Sequence, residues 1–378
     1  MFNVGSPVKG KNFIDRVKHI PIFKAYLDAN QHVMIKAPRR FGKTSLIKHV
    51  FEDNKNYKFI YTDIRRATSL NSLSNQILDK AYAFIGVDNF IYKSKESLIG
   101  LLKTIQGIKF GDMAQITLEY IEMDSDDVEL FLHALDVVNK IAIKMDINLK
   151  FIFDEFQDIF KIADKNILEQ LRSAIQHHSN VTYIFLGSIE SMMTQIFEDK
   201  KSPFFHFTRI MPLGGLDTNE LCEYIFDEFN KKNIKFEKKA IRLTITFLDG
   251  HPDYSMQVFQ SIYFKAIIDK DIIDNDLCIK ILKSVIMENR AYLDELIQKT
   301  KTKKHLHELL SSIANNDVSK LEAKTLYNAH MSLEDMGLIR NLSRGSYEVV
   351  DVFLNVLLKQ NNNSVLIGED IELSFINK

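Results

Sequence analysis

The chain has 378 residues, 46% of them apolar and 26% charged, with 49 Lys and Arg against 50 Asp and Glu and a net charge of −1. That composition belongs to a globular protein of two or three domains and excludes a disordered, collagenous or disulfide-stapled chain; the balanced charge excludes a polycation built to coat nucleic acid, while leaving a local basic patch open. Cys222 and Cys278 stand far apart outside any Cys-x-x-Cys, so neither a zinc site nor a disulfide framework is expected. With no signal-like start and no apolar run of about 18 residues, the reading is a cytoplasmic protein that does not enter a membrane.

Residues 32–36 (HVMIK) are short, apolar and bounded by a loop, as a buried parallel strand should be. The loop APRRFG follows, then the helical pattern KTSLIKHVFED. Residues 57–63 read as a second strand. Helical spacing returns over 72–84, with Leu73, Ile77 and Ala81 on one face, and 107–121 reads as a strand pair or hairpin. Asp124, Ser125 and Asp126 offer N-caps for a helix over 128–144. A third strand, 149–153, runs into Asp154 and Glu155; a fourth, 182–186, ends at Gly187 and Ser188. Strands alternating with helices predict an α/β domain over 1–212, a parallel sheet with helices on both faces. Helical patterns at 219–230, 238–248 and 254–269 then make a helical unit over 213–296. The Lys-rich stretch 297–304 reads as a hinge. Short helices and the segment IRNLSRGSYEVV, a two-stranded wing, give a winged-helix pattern over 297–378.

The segment Ala37, Pro38, Arg39, Arg40, Phe41, Gly42, Lys43, Thr44 has the spacing of a phosphate loop, G-x4-G-K-[ST], with Ala in place of the first Gly. Such a loop leaves a strand and opens a helix, presenting backbone N–H groups and the helix dipole to an anion. Lys43 is expected to neutralise the β and γ phosphates, Thr44 to bind Mg²⁺ through its hydroxyl, and Gly42 to let the backbone come close. If the position of Ala37 needs a positive φ, alanine there costs on the order of 1 kcal/mol. About 110 residues later, Phe151-Ile152-Phe153-Asp154-Glu155 is a buried strand ending in two carboxylates: Asp154 for the Mg²⁺ shell, Glu155 to ready the attacking water. Ser188 reads either as a sensor of phosphate or water at a strand end or as a plain turn residue. Arg209 reads either as an arginine finger, in its own or a neighbouring subunit, or as a surface arginine.

With these residues in place, the opening FNVGSPVKGKNFIDR, the APRRFGKTSL loop, FIFDEFQ, FLGS and Gly250-His251-Pro252 resemble the prokaryotic "archaeal ATPase" family, of the STAND branch of AAA+-related P-loop NTPases. The resemblance covers nearly the whole chain and implies a Mg²⁺-dependent ATPase, binding ATP and ADP and acting as a nucleotide-driven switch, with a helical lid and a C-terminal winged helix. It also implies roles for single residues. Phe2, Gly5, Pro7 and Arg16 match the family's N-terminal pattern near the nucleotide base. Ser45 closes the matching loop segment, Pro252 would pack on adenine, Gln157 belongs to the DEFQ element, and Asp351 matches the Asp of a closing "DP" motif. Asp15, where the family has Gly, and Ala37 depart from the pattern.

Lys299, Lys301, Lys303 and Lys304 form a basic cluster beside the winged-helix segment, and Arg340 and Arg344 flank its wing. One reading is a packing or regulatory module that touches the chain itself or a partner protein. The alternative is a double-stranded DNA reader with the nucleotide domain as switch or scaffold, although the recognition-helix segment also carries Glu322, Glu334 and Asp335. A nucleotide-dependent homo-oligomer fits either. The scattered Phe and Tyr read as core, and His177–His178 as a surface pair, not a metal site.

Overall fold

The computed structural model describes residues 2, 4–5, 13–14, 16–52, 56–86, 126–269, 271–343 and 345–360. Five parallel strands, β1 (Val33–Lys36), β2 (Phe59–Asp63), β3 (Leu149–Asp154), β4 (Val181–Gly187) and β5 (Arg209–Pro212), form one sheet in the order β2-β3-β4-β1-β5. Alternating side chains feed two cores, as the pleat requires. Phe151, Phe153, Tyr183 and Phe185 pack with α3 (Leu70–Phe84), α4 (Asp127–Lys144), α5 (Ile167–Ile175) and α6 (Glu190–Phe197). Ile152, Ile184 and Leu186 face the other way, onto α1 (His19–Asp28) and α2 (Lys43–Glu52). The predicted parallel sheet with helices on both faces is therefore present.

Local signals explain most element ends. Asp126 caps α4 by accepting from the N–H groups of Val128 and Glu129, both at 2.9 Å. Asp124, Ser125 and the expected hairpin at 107–121 lie outside the described residues. Ser69 caps α3 through the Ser72 N–H, so the helix begins at Leu70, two residues before the predicted start.

Beyond the sheet come α7 (Thr218–Asn230), α8 (Lys238–Phe247), α9 (Pro252–Asp269), α10 (Asn275–Glu288) and α11 (Arg290–Lys301). The helices α12 (Lys304–Asn315) and α13 (Ala323–Asp335) follow, then the antiparallel pair β6 (Ile339–Ser343) and β7 (Ser346–Val349), and α14 (Val352–Gln360). The hinge expected over 297–304 is not there. Helix α11 runs through Lys301 with Ile297 and Thr300 buried, and only Thr302 and Lys303 separate it from α12. Its lysines mark the solvent face of a helix whose other face is in the core. One apolar cluster runs continuously from α7 to α14.

A line of rings joins these parts. Phe41, after β1, meets His251 edge-on at 4.7 Å; His251 stacks on Tyr254 at 4.2 Å, and Tyr254 on Phe353 of α14 at 3.9 Å. Burial, and then the Arg40 charge, push the His251 imidazole down to about 3. Unfolded, it titrates near 6.5. Between those values the unfolded chain holds more protons, so the stability contributed by the neutral ring is complete above pH 6.5. It is lost as pH falls, by about 1.4 kcal/mol per pH unit. The stability gap between the wild type and His251→Gln, measured by denaturant midpoints, should be constant from pH 7 to 8 and shrink steadily from pH 6.5 to 4.5.

Candidate active site

Parallel register brings the carboxyl ends of β1, β3 and β4 to one edge: Lys36 lies beside Gly187, and Phe153 beside Phe185. Ligands bind at that edge in open α/β sheets. From β1 the chain turns through residues 37–42 and enters α2 at Lys43. Arg40 and Gly42 hold φ of +65° and +83°; glycine takes this conformation freely, whereas arginine stores strain there. Ala37 is not among the left-handed residues and is fully buried in the core under α2, so alanine at that position costs no backbone strain. Lys43 is 6% exposed and donates to the carbonyls of Ala37 (2.6 Å) and Pro38 (2.9 Å). Burial pushes its ammonium down to about 8, against the pull of Glu155 and Asp154.

Asp154 closes β3. Its Oδ2 accepts from the Thr44 hydroxyl at 3.4 Å and from the Tyr61 hydroxyl, and its Oδ1 from the Glu155 N–H at 2.9 Å. Burial raises its carboxyl; the Tyr61 hydrogen bond opposes this and the Glu155 charge adds to it. A hydroxyl and a carboxylate this close, in a site already rich in cations, form the hard oxygen set that suits Mg²⁺ completed by phosphate and water.

Glu155 has φ +53° and ψ +48°, which turns it off the strand line into the cavity. Its Oε2 accepts from Ser188 Oγ (2.5 Å) and Gln157 Nε2 (2.7 Å) and pairs with Arg65 Nη2 (3.0 Å). Arg65 Nε also reaches Asp158 Oδ2 at 3.0 Å, while Lys161 holds Asp158 Oδ1 at 3.0 Å. Gly187 is needed here because a Cβ would lie 2.8 Å from Gln157 Oε1 and closer still to Met193.

These groups line a cavity of about 750 Å³. Arg39, Arg40, Phe41, Gly42, Lys43, Thr44 and Ser45 make its phosphate-loop wall, the ion pair of Arg65 and Glu155 another part, and Pro252, Asp253 and Met256 the wall contributed by α9; Val4, Gly5 and Phe13 also line it. Pro252 thus lines the same cavity as the loop. Ala37 and Pro38 act through their carbonyls, on Lys43.

Other expected residues are placed differently. Phe2 is buried in the helical core among Tyr224, Phe229, Phe259 and Tyr263, with its carbonyl bound by Gln260, and is not among the residues lining the cavity. Arg16 lines the cavity, but its guanidinium donates to the carbonyls of Phe41 (3.0 Å) and Gly214 (2.9 Å), tying the phosphate loop to the exit from β5. Arg209 pairs with Val33 at the amino ends of β5 and β1 and is exposed, so the fold puts it at the opposite edge of the sheet from the phosphate loop. Ser188 spends its hydroxyl on Glu155 and faces a smaller cavity shared with Arg340 and Ile339. Pro7, Asp15 and Arg344 lie outside the described residues. Tyr61 and Arg65 were not expected. Their signal was the polar strand end YTDIRR, which has meaning only once β2 is known to lie beside β3.

Arg16→Ala would leave the buried Phe41 carbonyl and the part-buried Gly214 carbonyl without their charged donor. It should lower stability by about 2–3 kcal/mol, read as a fall in the denaturation midpoint, with Arg16→Lys recovering only part because an ammonium lacks the guanidinium fork.

A profile of the ATPase domain family predominantly from Archaea matches residues 13–258. No curated protein matches the sequence. Among solved structures, the Walker-type ATPase PABY2304 of Pyrococcus abyssi is 16% identical with a TM-score of 0.68, covering 95% of this chain and 99% of that one. The ORC2 protein of Aeropyrum pernix, solved as ADPNP-ADP complexes, is 15% identical with a TM-score of 0.54, covering 93% and 95%. The two structures share the fold, and the profile covers the phosphate loop, the acidic pair and the start of α9: the chain belongs to this archaeal-type ATPase family and is a nucleotide-binding P-loop ATPase.

Proposed function

We propose that the protein is a Mg²⁺-dependent ATP hydrolase of STAND type in which nucleotide state sets the position of the helices beyond the sheet. The observation that carries this is the meeting of Lys43, Thr44 and Glu155 on one cavity that the start of α9 also lines, with Asp154 hydrogen-bonded to Thr44 behind its wall. In this reading Lys43 and the loop N–H groups hold the phosphates, and Thr44 and Asp154 hold Mg²⁺, which would offset charge on the β and γ oxygens. Glu155 takes the proton of the attacking water. The water oxygen forms the new bond to the γ phosphorus, and the bond to the β–γ bridging oxygen breaks with its electron pair left on ADP. The apolar wall of Phe13, Pro252 and Met256 suits a flat base, and adenine is the expected one.

The switch reading is supported by what touches the loop. Arg40 pairs with Asp253 at 3.4 Å and lies over the Tyr292 ring at 5.0 Å. The Tyr254 hydroxyl donates to Asp351 at 2.7 Å, and Asp351 caps α14 through the N–H groups of Phe353 and Leu354. A change in the loop is therefore felt at α14 through two short routes. We keep the division into an ATPase domain (1–212), a helical lid (213–296) and a winged-helix unit (297–378), the last acting as a packing module. In support, Ser191 Oγ donates to the Glu334 carbonyl at 2.9 Å, and Arg340 is taken up by Glu348 and lies 3.9 Å from Asp249. Over residues 302–360 seven Lys and Arg face seven Asp and Glu, which does not favour DNA as the partner.

Two measurements test the reading. Glu155→Gln should reduce ATP turnover roughly 10²–10⁴-fold while leaving nucleotide binding intact, and Lys43→Ala should weaken binding itself; turnover unchanged in both would overturn the assignment. Hydrogen exchange of residues 352–360 should slow when Mg²⁺ and ATP are added, and Tyr254→Ala should abolish that response without abolishing ATP binding.

A further inference from the structure

We propose that Asn289 reads the base in this site: its side-chain carbonyl oxygen accepts a hydrogen bond from the exocyclic amino group of adenine, and a chain of contacts running back to the phosphate loop keeps that oxygen, and not the amide nitrogen, available to the ligand. The proposal rests on the ATPase reading and deepens it.

Asn289 joins α10 to α11 and lines the nucleotide cavity together with Gln257 of α9. A side-chain amide has a donor end and an acceptor end of nearly the same shape, so what it can read depends on which way round it is held. Its neighbours decide this. Arg40 of the phosphate loop pairs with Asp253 at 3.4 Å, and a carboxylate so paired only accepts. Gln257 therefore presents its amino end to Asp253, donating from Nε2 to Oδ2 at 2.8 Å. Its carbonyl oxygen is left for Asn289, whose Nδ2 donates to it at 2.9 Å. Asn289 Nδ2 also donates to the Val285 carbonyl at 2.8 Å, another group that can only accept. Both donors of Asn289 are thus taken up, and among the described residues nothing donates to its Oδ1.

An acceptor repels phosphate oxygens and calls for a ligand donor. The adjoining wall indicates which part of the nucleotide supplies it. Pro252, Met256 and Phe13, the last with its ring stacked on His49 at 4.2 Å, make the apolar surface suited to a flat base. Gln257 follows Met256 directly, so the amide pair is the polar border of that surface. Adenine carries an amino group, a donor, where guanine carries a carbonyl oxygen. With guanine the two acceptors would face each other and both would go unpaired, which is how a hydrogen-bonding site rejects the wrong ligand.

The test is calorimetric titration of the full chain, in Mg²⁺, with three diphosphates that carry no γ phosphate to hydrolyse: ADP, 2′-deoxy-ADP and purine riboside diphosphate, which lacks only the amino group. The wild type should bind ADP about tenfold more tightly than the purine riboside compound. Asn289→Ala should bring those two affinities together and leave the ratio of ADP to 2′-deoxy-ADP as in the wild type. Asn289→Ser, which can still cap α11 but is shorter, should do the same, and stands in for the alanine variant should that one not fold. Variants that weaken all three ligands equally overturn the proposal, because Asn289 would then be structural only. A wild type that binds ADP and purine riboside diphosphate equally overturns it too, as does a loss that falls on the 2′-deoxy ratio, since the oxygen would then read the ribose. A wild type that binds none of the three overturns the ATPase reading beneath it.

Discussion

Burial of two opposite charges on one edge of the sheet, the Lys43 ammonium and the Asp154 carboxylate, is the constraint on which the remaining architecture depends. Each is pushed by desolvation toward its neutral form, Lys43 downward and Asp154 upward. Each is held by neutral groups of the fold, Lys43 by the carbonyls of Ala37 and Pro38 and Asp154 by the hydroxyls of Tyr61 and Thr44. An anion beside Lys43 and a cation beside Asp154 would relieve both penalties. The site is therefore arranged so that binding recovers free energy already spent in folding, the general economy of a preorganised electrostatic site.

That constraint fixes what surrounds it. Holding the loop needs Arg16, whose guanidinium joins the Phe41 carbonyl to the exit from β5. Phe2, fourteen residues before Arg16 in the chain, is itself buried in the helical core with its carbonyl bound by Gln260. The crossing at residues 214–216 and 249–251 closes the same connection from below, with the Leu216 N–H on the Gly250 carbonyl at 2.8 Å. The strained conformations of Arg40 and Glu155 persist because ion pairs on both sides hold them: Arg40 by Asp253, Glu155 by Arg65.

What could be read from the sequence was what is local in the chain. The phosphate loop, the acidic pair and the polar end of β4 are contiguous segments whose spacing carries their chemistry, and the structure brings all three to one edge. Four of the five strands were found within one or two residues because buried parallel strands are short apolar runs; β5, mostly exposed, has no such run and was not read as a strand. The residues that reading missed are those whose role depends on strand order. Nothing within YTDIRR says that Tyr61 and Arg65 face Asp154 and Glu155; that follows from β2 lying next to β3. Arg209 shows the converse. Its nearness in sequence to the sensor strand suggested the active site, yet a parallel strand that begins with it must carry it to the opposite edge. The Lys-rich stretch 297–304 was taken for a hinge by composition, when Ile297 and Thr300, three apart on one face of the same helix, are buried.

Coupling between the nucleotide and the C-terminal helices has a thermodynamic corollary. The phosphate loop touches α9 through Phe41 on His251 and Arg40 on Asp253, and α9 touches α14 through Tyr254 on Phe353 and Asp351. If nucleotide alters the free energy of the α14 contact, then anything that binds or displaces the C-terminal helices alters nucleotide affinity by the same factor, because coupling free energy belongs to the pair of sites and not to either. The smaller cavity carries the same logic to the chemistry. Ser188 donates to Glu155 on one side and faces the β6 strand on the other. Movement of β6 away from the sheet would change what lies against the residue that holds the Glu155 carboxylate. On the proposed switch reading, a molecule that displaced the C-terminal helices would act on both halves of the cycle, on affinity through α9 and on the hydrolytic step through Ser188, with no need to enter the nucleotide cavity.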